Sequence, residues 1–250
     1  MSVETHVLHQ GATGNVTFWH RARFMFVADQ LRVEHACSLL DYGAGAGGLA
    51  QVVRGLPNTS YFYFDESGAV MDFLRDEIGA ALDGTALLRA GKAQVTVALD
   101  VIEHIEDDLD ALRTLADSTQ PGGRIIVTVP ALPSLWSSWD TKLGHFRRYT
   151  RASLRTLGIR AGLEPIEVSY LFPEMLPAGI LRRIGDRHAA QRDGGAEFPR
   201  FTPVLDHLLF LVARLTTRLR RLAPAGTSVV AVFRKPLENQ LAQPTCGPGA

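Results

Sequence analysis

The chain has 250 residues, of which 26 are basic and 26 acidic, so its formal net charge is zero. This balance argues against a nucleic-acid partner that is held mainly by phosphate contacts. Its two cysteines, Cys37 and Cys246, are too few for a disulfide framework or a zinc cluster, and we expect no bound metal. Without a signal-peptide pattern or an apolar run that could span a bilayer, we expect a cytoplasmic protein.

Apolar residues recur at helical spacing over residues 15–33 and predict an N-terminal helix. Trp19 lies in this helix, and its large ring could either pack on a sheet or cover a ligand site. The sequence leaves both roles open.

A glycine-rich turn follows the first predicted strand, residues 37–40. It reads Asp41-Tyr42-Gly43-Ala44-Gly45-Ala46-Gly47-Gly48 and precedes a short helical segment. Glycine brings backbone close to a ligand, and the N–H groups of a helix start can hold a carboxylate or phosphate. The spacing fits both the dinucleotide fingerprint G-x-G-x-x-G and the pattern acid-x-G-x-G-x-G, so the turn alone does not choose a ligand.

The second predicted strand, residues 60–64, ends in Asp65 and Glu66. An acid about twenty residues beyond the glycines can accept hydrogen bonds from both ribose hydroxyls of a nucleoside. The alternative role of Asp65 is a favourable charge at the start of the next helix, for which Ser67 is the expected cap. Residues 86–88 predict a short third strand.

The rest of the chain continues to alternate strands with helices, which predicts an α/β fold with a parallel sheet. The other predicted elements are a fourth strand (95–101), a helix with Leu109, Leu112 and Leu115 on one face, a fifth strand (124–130), a helix (150–161), a sixth strand (165–171), an insertion (173–224) that contains an amphipathic helix (201–222), and a last strand (229–234).

Two further stretches make the pattern specific. Leu99-Asp100-Val101-Ile102-Glu103-His104-Ile105 ends the fourth strand, and Gln120-Pro121-Gly122-Gly123 precedes the fifth. With the glycine turn and Asp65, residues 37–131 resemble class I S-adenosylmethionine (SAM) methyltransferases, most of all the ubiquinone/menaquinone-biosynthesis subgroup known as methyltransferase type 11 or 12. Dinucleotide enzymes have no reason to carry Asp-Val-Ile-Glu-His after the fourth strand, so the resemblance favours SAM over NAD(P).

The resemblance implies a Rossmann-like three-layer α/β sandwich. Its sheet would have seven mostly parallel strands in the order 3-2-1-4-5-7-6, with the last strand antiparallel. Residues 1–236 would form one domain with an N-terminal lid helix (1–34) and the helical insertion (173–224), and residues 237–250 a disordered tail. The helix 201–222 could serve as a substrate lid, a homodimer contact, a membrane-surface helix or simply a helix docked on the domain.

The same motifs imply where the cofactor SAM binds. The glycine turn would seat its methionine part, Asp65 its ribose, and Asp100 with Val101 its methionine and adenosine side. The expected cofactor-binding residues are Asp41, Gly43, Ala44, Gly45, Gly47, Asp65, Glu66, Asp100 and Val101. No acid lies between Asp83 and Asp100, so no residue is assigned to the adenine amino group.

The loop after the fifth strand leaves the edge at which α/β sheets bind ligands. His145 on this loop is the first candidate for a catalytic base and His104 the second, because histidine is tuned for proton transfer near neutral pH. Arg147 and Arg148 would suit a carboxylate or phosphate on the acceptor. In the alternative, both arginines pair with surface acids, and Trp136 and Trp139 pack within the loop without contacting the acceptor. The expected substrate-binding residues are Trp19, Trp136, Trp139, Arg147, Arg148 and Tyr149.

The sequence thus predicts a SAM-dependent methyltransferase that acts on O, N or C of a small, partly apolar or aromatic metabolite. Holding cofactor and acceptor in line can by itself lower the barrier by about 7–11 kcal/mol. Two alternatives remain. One is a SAM-binding protein of this fold without methyl transfer, and the other is an NAD(P)-dependent oxidoreductase, for which no nicotinamide pocket is apparent in the sequence.

Overall fold

The computed structural model describes residues 16–32, 37–188 and 201–237. Within these ranges six strands form one sheet in the order β2-β1-β3-β4-β6-β5. The strands are β1 (Cys37–Tyr42), β2 (Thr59–Phe64), β3 (Ala93–Leu99), β4 (Thr119–Pro130), β5 (Glu164–Leu171) and β6 (Ser228–Arg234). Parts of three predicted segments lie outside the described residues: residues 1–15 and 33–34 of the N-terminal lid helix, residues 189–200 of the insertion, and residues 238–250 of the tail.

One helix precedes β1, and the others lie between the strands along the chain, as the alternating pattern predicts. They are α1 (Phe18–Leu31), α2 (Ala50–Val53), α3 (Gly68–Leu74), α4 (Thr85–Ala90), α5 (Asp108–Ser118), α6 (Ser138–Leu143), α7 (Arg151–Arg160), α8 (Leu176–His188) and α9 (Pro203–Arg218). Ser67 caps α3 as predicted, since its hydroxyl accepts a hydrogen bond from the Val70 N–H at 3.2 Å.

The predicted strand order is confirmed except for its third strand. Strands β1 to β4 are mutually parallel, and β6 is antiparallel to both of its neighbours, β4 and β5. The last strand in sequence therefore lies inside the sheet rather than at its edge. The two faces are covered by separate apolar clusters: α1, α2 and α3 pack on one, and α5 and α7 on the other. The result is the expected three-layer sandwich.

The prediction of a third strand at residues 86–88 is wrong, because these residues lie in helix α4. Among the described residues, this segment pairs with the edge of β2 through one isolated bridge, between Asp83 and Tyr63. The Asp83 carboxylate then accepts hydrogen bonds from the Thr85 N–H at 2.9 Å and from its hydroxyl at 2.6 Å. These bonds satisfy donors at the helix start, so the segment turns into a helix directly after the bridge.

Helix α9 of the insertion packs against α1. Two ion pairs join these helices, one between Arg21 and Asp206 and one between Arg214 and Asp29. Of the four roles considered for this helix, docking on the domain is therefore the one that the contacts support. None of the helices among the described residues is both long and apolar enough to cross a membrane.

Candidate functional site

The candidate site lies at the carboxyl ends of β1, β2, β3 and β4. Strands β2 and β3 flank β1 on opposite sides, so the chain connections diverge at the end of β1. Open α/β sheets bind their ligands in the crevice at such a switch point. The predicted cofactor-binding residues all follow or end these strands.

Backbone conformation and lack of space both require glycine at Gly43 and Gly47 in the turn after β1. Gly43 and Gly47 have φ angles of 71° and 72°, a region that side chains rarely adopt. A Cβ at Gly43 would also lie 2.6 Å from Cγ2 of Val101, and one at Gly47 2.3 Å from Cδ1 of Ile78. The turn thus packs directly on Val101, which brings two stretches predicted to bind the cofactor into contact.

Asp65 connects the end of β2 to the glycine turn. Its Oδ2 atom accepts a hydrogen bond from the Gly45 N–H at 3.1 Å, and its Oδ1 atom accepts one from the Ser67 N–H at 3.1 Å. Glu66 is exposed and accepts a hydrogen bond from the Tyr42 hydroxyl at 2.6 Å. The Asp65 carboxylate therefore lies at the glycine turn.

Asp41 differs from the expected cofactor contact because it is part of β1 and is 3% exposed. Its Oδ2 atom accepts a hydrogen bond from the Tyr61 hydroxyl at 2.8 Å. Burial raises its pKa to about 7, with a smaller contribution from the charge of Asp65, although the Tyr61 bond opposes the shift. Its carboxyl group faces β2, so any effect of Asp41 on the cofactor would be transmitted through the turn.

Replacing Asp41 with asparagine should remove a pH dependence of stability. A folded-state pKa above the usual value means that the folded chain binds more protons, so its free energy of unfolding falls as pH rises from about 4 to about 7. The full shift corresponds to about 4 kcal/mol. Urea unfolding of the cofactor-free protein would give the free energy of unfolding of Asp41→Asn and of wild type at two pH values. The value for Asp41→Asn minus the value for wild type should be about 2–4 kcal/mol larger at about pH 8 than at about pH 4.5. An equal difference at both pH values would contradict the shift.

Asp100 is held by a residue to which the sequence reasoning gave no role. Its Oδ2 atom pairs with Nη1 of the buried Arg23 on α1 at 2.5 Å, and its Oδ1 atom accepts a hydrogen bond from the Thr128 hydroxyl at 3.1 Å. Burial alone would raise the pKa of Asp100, but the positive charge of Arg23, together with other nearby positive charges and the Thr128 hydrogen bond, outweighs burial and lowers the pKa. Arg23 lies four residues after Trp19, on the buried face of its helix, which is the one sequence signal that could have identified it.

Glu103, His104 and His145 meet beyond β3. The rings of His104 and His145 are edge to face, with centroids 4.7 Å apart. Glu103 is fully buried, and neither of its carboxylate oxygens has a hydrogen-bond partner among the described residues. Burial, with the charge of Asp100, raises its pKa well above the usual value, whereas burial and the charge of His145 lower the pKa of His104 to about 4.

Asp140, on α6, organises the loop that carries His145. Its Oδ1 atom accepts hydrogen bonds from Nδ1 of His145 at 3.0 Å and from Nε of Arg148 at 2.7 Å, and Oδ2 accepts one from the Ser137 N–H at 2.9 Å. Burial alone would raise the pKa of Asp140, but these donors lower it to about 2. Because an ionised carboxylate only accepts, the proton of a neutral His145 lies on Nδ1 and its Nε2 atom keeps a lone pair.

The predicted substrate-binding residues are largely engaged within the protein. Arg147 pairs with Asp108 at 2.9 Å, and the Tyr149 hydroxyl donates to the same carboxylate at 2.9 Å. Arg148 also donates from Nη1 to the Ala131 carbonyl at 3.0 Å. Both arginines therefore pair with acids, as the alternative interpretation of the sequence expects. The acids are not on the surface, however, since Asp108 is half-buried and Asp140 is buried.

The three tryptophans differ in their exposure. Trp19 is buried and packs edge to face on Phe18, with ring centroids 5.0 Å apart. Trp136 and Trp139 are half-buried, and the Arg182 guanidinium lies over the Trp139 ring at 4.2 Å. Contacts of these rings with an acceptor remain a prediction, which Trp136 and Trp139 fit better than Trp19.

Solved structures with a similar fold are distant in sequence. A proposed sarcosine dimethylglycine methyltransferase from Galdieria sulphuraria is 16% identical with a TM-score of 0.54, over 86% of this chain and 85% of that one. The [4+2]-cyclase SpnF is 16% identical with a TM-score of 0.55, over 94% and 93%. Phosphoethanolamine N-methyltransferase 2 of Haemonchus contortus, solved with SAM, is 15% identical with a TM-score of 0.54, over 85% of this chain but 52% of its own.

The family assignment comes from the sequence match. No curated protein matches the chain. The family model described as a methyltransferase domain matches residues 20–168, more than half of the chain, and this range contains the glycine turn, Asp65 and the cluster around His145. The ubiquinone/menaquinone subgroup is not singled out by these matches and stays a prediction. The chain belongs to the methyltransferase domain family.

Proposed function

We propose that the protein uses SAM to methylate an oxygen, nitrogen or carbon atom of a small, partly apolar or aromatic metabolite. The observation that carries the proposal is the contact between the glycine turn and the Asp65 carboxylate at the switch point of the sheet. It occurs in a chain of the methyltransferase domain family, and a protein of similar fold has been solved with SAM.

The residues at the switch point suit SAM chemically. The Gly43–Gly47 turn has no side chains larger than methyl, so its backbone can approach the methionine part of the cofactor closely. Asp65 can accept hydrogen bonds from the ribose hydroxyls, and Val101 packs on the turn from the side of β3. Arg23 fixes the carboxylate of Asp100 at the neighbouring strand end, so Arg23 is a positioning residue in this proposal.

SAM supplies an electrophilic methyl group on a sulfonium; the acceptor atom bonds to the methyl carbon as the bond to sulfur breaks, and S-adenosylhomocysteine is the leaving group. The protein must then orient the acceptor and remove its proton where it has one to lose. His145 is our first choice for this step, because Asp140 fixes its ring and leaves Nε2 able to accept a proton. His104 remains the second candidate.

Asp65→Asn should weaken SAM binding about 10–100-fold. The amide keeps one acceptor oxygen but loses the charge and the second acceptor, and a hydrogen bond to a charged group contributes about 1.5–3 kcal/mol. Calorimetric titration with SAM would measure the change, with Asp76→Asn, at an exposed position of the π-helical segment after α3, as the matched control. Wild-type affinity in Asp65→Asn would remove Asp65 from the cofactor site, and binding of NAD in place of SAM would overturn the proposal.

Methyl transfer itself needs a separate experiment, because the [4+2]-cyclase SpnF shares the fold and a fold does not establish a reaction. Incubation with methyl-labelled SAM and a pool of small metabolites should yield a labelled product, whose structure identifies the acceptor. SAM binding without any labelled product would favour the alternative, a SAM-binding protein without methyl transfer.

The remaining expectations stand as part of the proposal. They are a single domain over residues 1–236, a lid role for the N-terminal helix and the insertion, a cytoplasmic location, no nucleic-acid partner, and homodimer formation. Among them, the lid role has structural support from α1, whose Arg23 reaches the end of β3.

A further inference from the structure

Three side chains from two distant segments bring metal-ligating atoms together at the proposed acceptor side of the site. Glu103 and His104 form a short turn after β3, and His145 follows α6. One potential ligand atom from each of the three lies within 4.8 Å of the others. The sequence predicts no metal here because only the fold brings His145 to the Glu-His pair.

Three buried polar atoms of the cluster lack the hydrogen bonds that such atoms normally make. Both carboxylate oxygens of Glu103 and the Nδ1 atom of His104 are buried without a hydrogen-bond partner among the described residues. Such groups are costly to bury and usually have a partner, which can be a bound ion. The unpartnered atoms belong to residues whose ligand atoms converge.

Asp140 gives His145 the arrangement that is typical of a metal ligand. Histidines that bind metals usually donate their other ring N–H to a carboxylate or a carbonyl, which fixes the ring and makes the free nitrogen a better ligand. The Nδ1 atom of His145 lies 3.0 Å from Oδ1 of Asp140, and Arg148 and Ser137 hold that carboxylate in place. Nε2 is then the ligand atom.

We propose that Glu103, His104 and His145 bind a divalent transition-metal ion, with Asp140 as the outer partner of His145. Two imidazoles and one carboxylate suit Zn²⁺, Mn²⁺, Fe²⁺ or Co²⁺, whereas Mg²⁺ and Ca²⁺ prefer oxygen ligands only. Bonds of about 2.1 Å place two ligand atoms at most about 4.2 Å apart, so the side chains need to approach by a fraction of an ångström.

The ion would change the chemistry of the acceptor step, a consequence that rests on the proposed function. Three protein ligands leave coordination positions open for a small molecule. An acceptor hydroxyl bound there would lose its proton more readily, which favours an oxygen-bearing acceptor. Nε2 of His145 would then be a ligand rather than the base.

Metal binding is tested on the tag-free, metal-stripped protein without SAM or acceptor. Titration with Co²⁺ should give visible absorption bands that saturate at one ion per chain. Affinity should fall more than about 100-fold in Glu103→Gln and His145→Ala, and about 10–100-fold in Asp140→Asn, which leaves the ligands intact. His207→Ala, on an exposed position of α9, is the matched control and should bind as wild type.

The outcomes separate the metal site from the proposed function. No saturable bands in the wild type, or wild-type affinity in both ligand variants, would overturn the metal site and leave methyl transfer untouched. Once the acceptor is known, a chelator and Glu103→Gln should each abolish most of kcat if the ion acts in the reaction. Unchanged kcat in both would restrict the ion to a structural role.

Discussion

Replacing His145 with alanine should lower kcat for methyl transfer by about 10²–10⁴-fold, the range that a positioned acid–base group contributes. SAM affinity should stay near wild type. The side chain of His145 is 8% exposed and belongs to the loop after β4, whereas the proposed SAM contacts follow β1, β2 and β3. Steady-state kinetics with the acceptor found by labelling, together with calorimetric titration of SAM, would measure both quantities.

A second histidine variant controls for general effects of the substitution. His207→Ala, far along the chain on α9, should change neither kcat nor SAM affinity. If His145→Ala turns over substrate as fast as this control, His145 has no part in the acceptor step, either as base or as metal ligand. A loss of SAM affinity as large as the loss in kcat would instead place His145 at the cofactor.

The fold was predictable where one local pattern determines one element. The strands β1, β2, β3 and β6 were recognised from short apolar runs, and the cap at Ser67 from its position before a helix. Residues 86–88 were misassigned because a short apolar run is compatible with either a strand or a buried helix. The outcome depends on Asp83, whose carboxylate binds the Thr85 N–H after a single bridge to β2.

Some residues of the candidate site were likewise predictable from a local pattern, and others were not. The glycine turn and Asp65 could be predicted because their spacing along the chain reflects one strand–turn–helix–strand unit. The pair Arg23–Asp100 joins residues that are far apart in the sequence and meet only in the folded chain. The pair His145–Asp140 forms because the loop turns back on itself after α6. Asp140 lies on the same predicted loop as His145, but the sequence alone gives it no role, and the unpartnered atoms of Glu103 have no signature in the sequence.

Asp140→Ala should destabilise the protein by about 3–5 kcal/mol, the cost of removing one partner from a buried ion pair. The carboxylate is fully buried, and its loss leaves Nε of Arg148, Nδ1 of His145 and the N–H of Ser137 without the acceptor that they share. The largest part of the effect is the charge of Arg148, whose side chain is 12% exposed. Urea unfolding of the cofactor-free protein would measure the free energy.

The matched substitution is Asp72→Ala, which also removes an aspartate from an arginine, here Arg75 at 2.7 Å. The Asp72 side chain is 77% exposed, and an exposed pair of this kind contributes about 0–1 kcal/mol. The difference between the two variants therefore isolates burial, since the chemical change is the same. A similar small loss in both would mean that the loop around Asp140 admits water. Such a loop would not hold the His145 ring, and the acceptor-side role proposed for His145 would lose its structural basis.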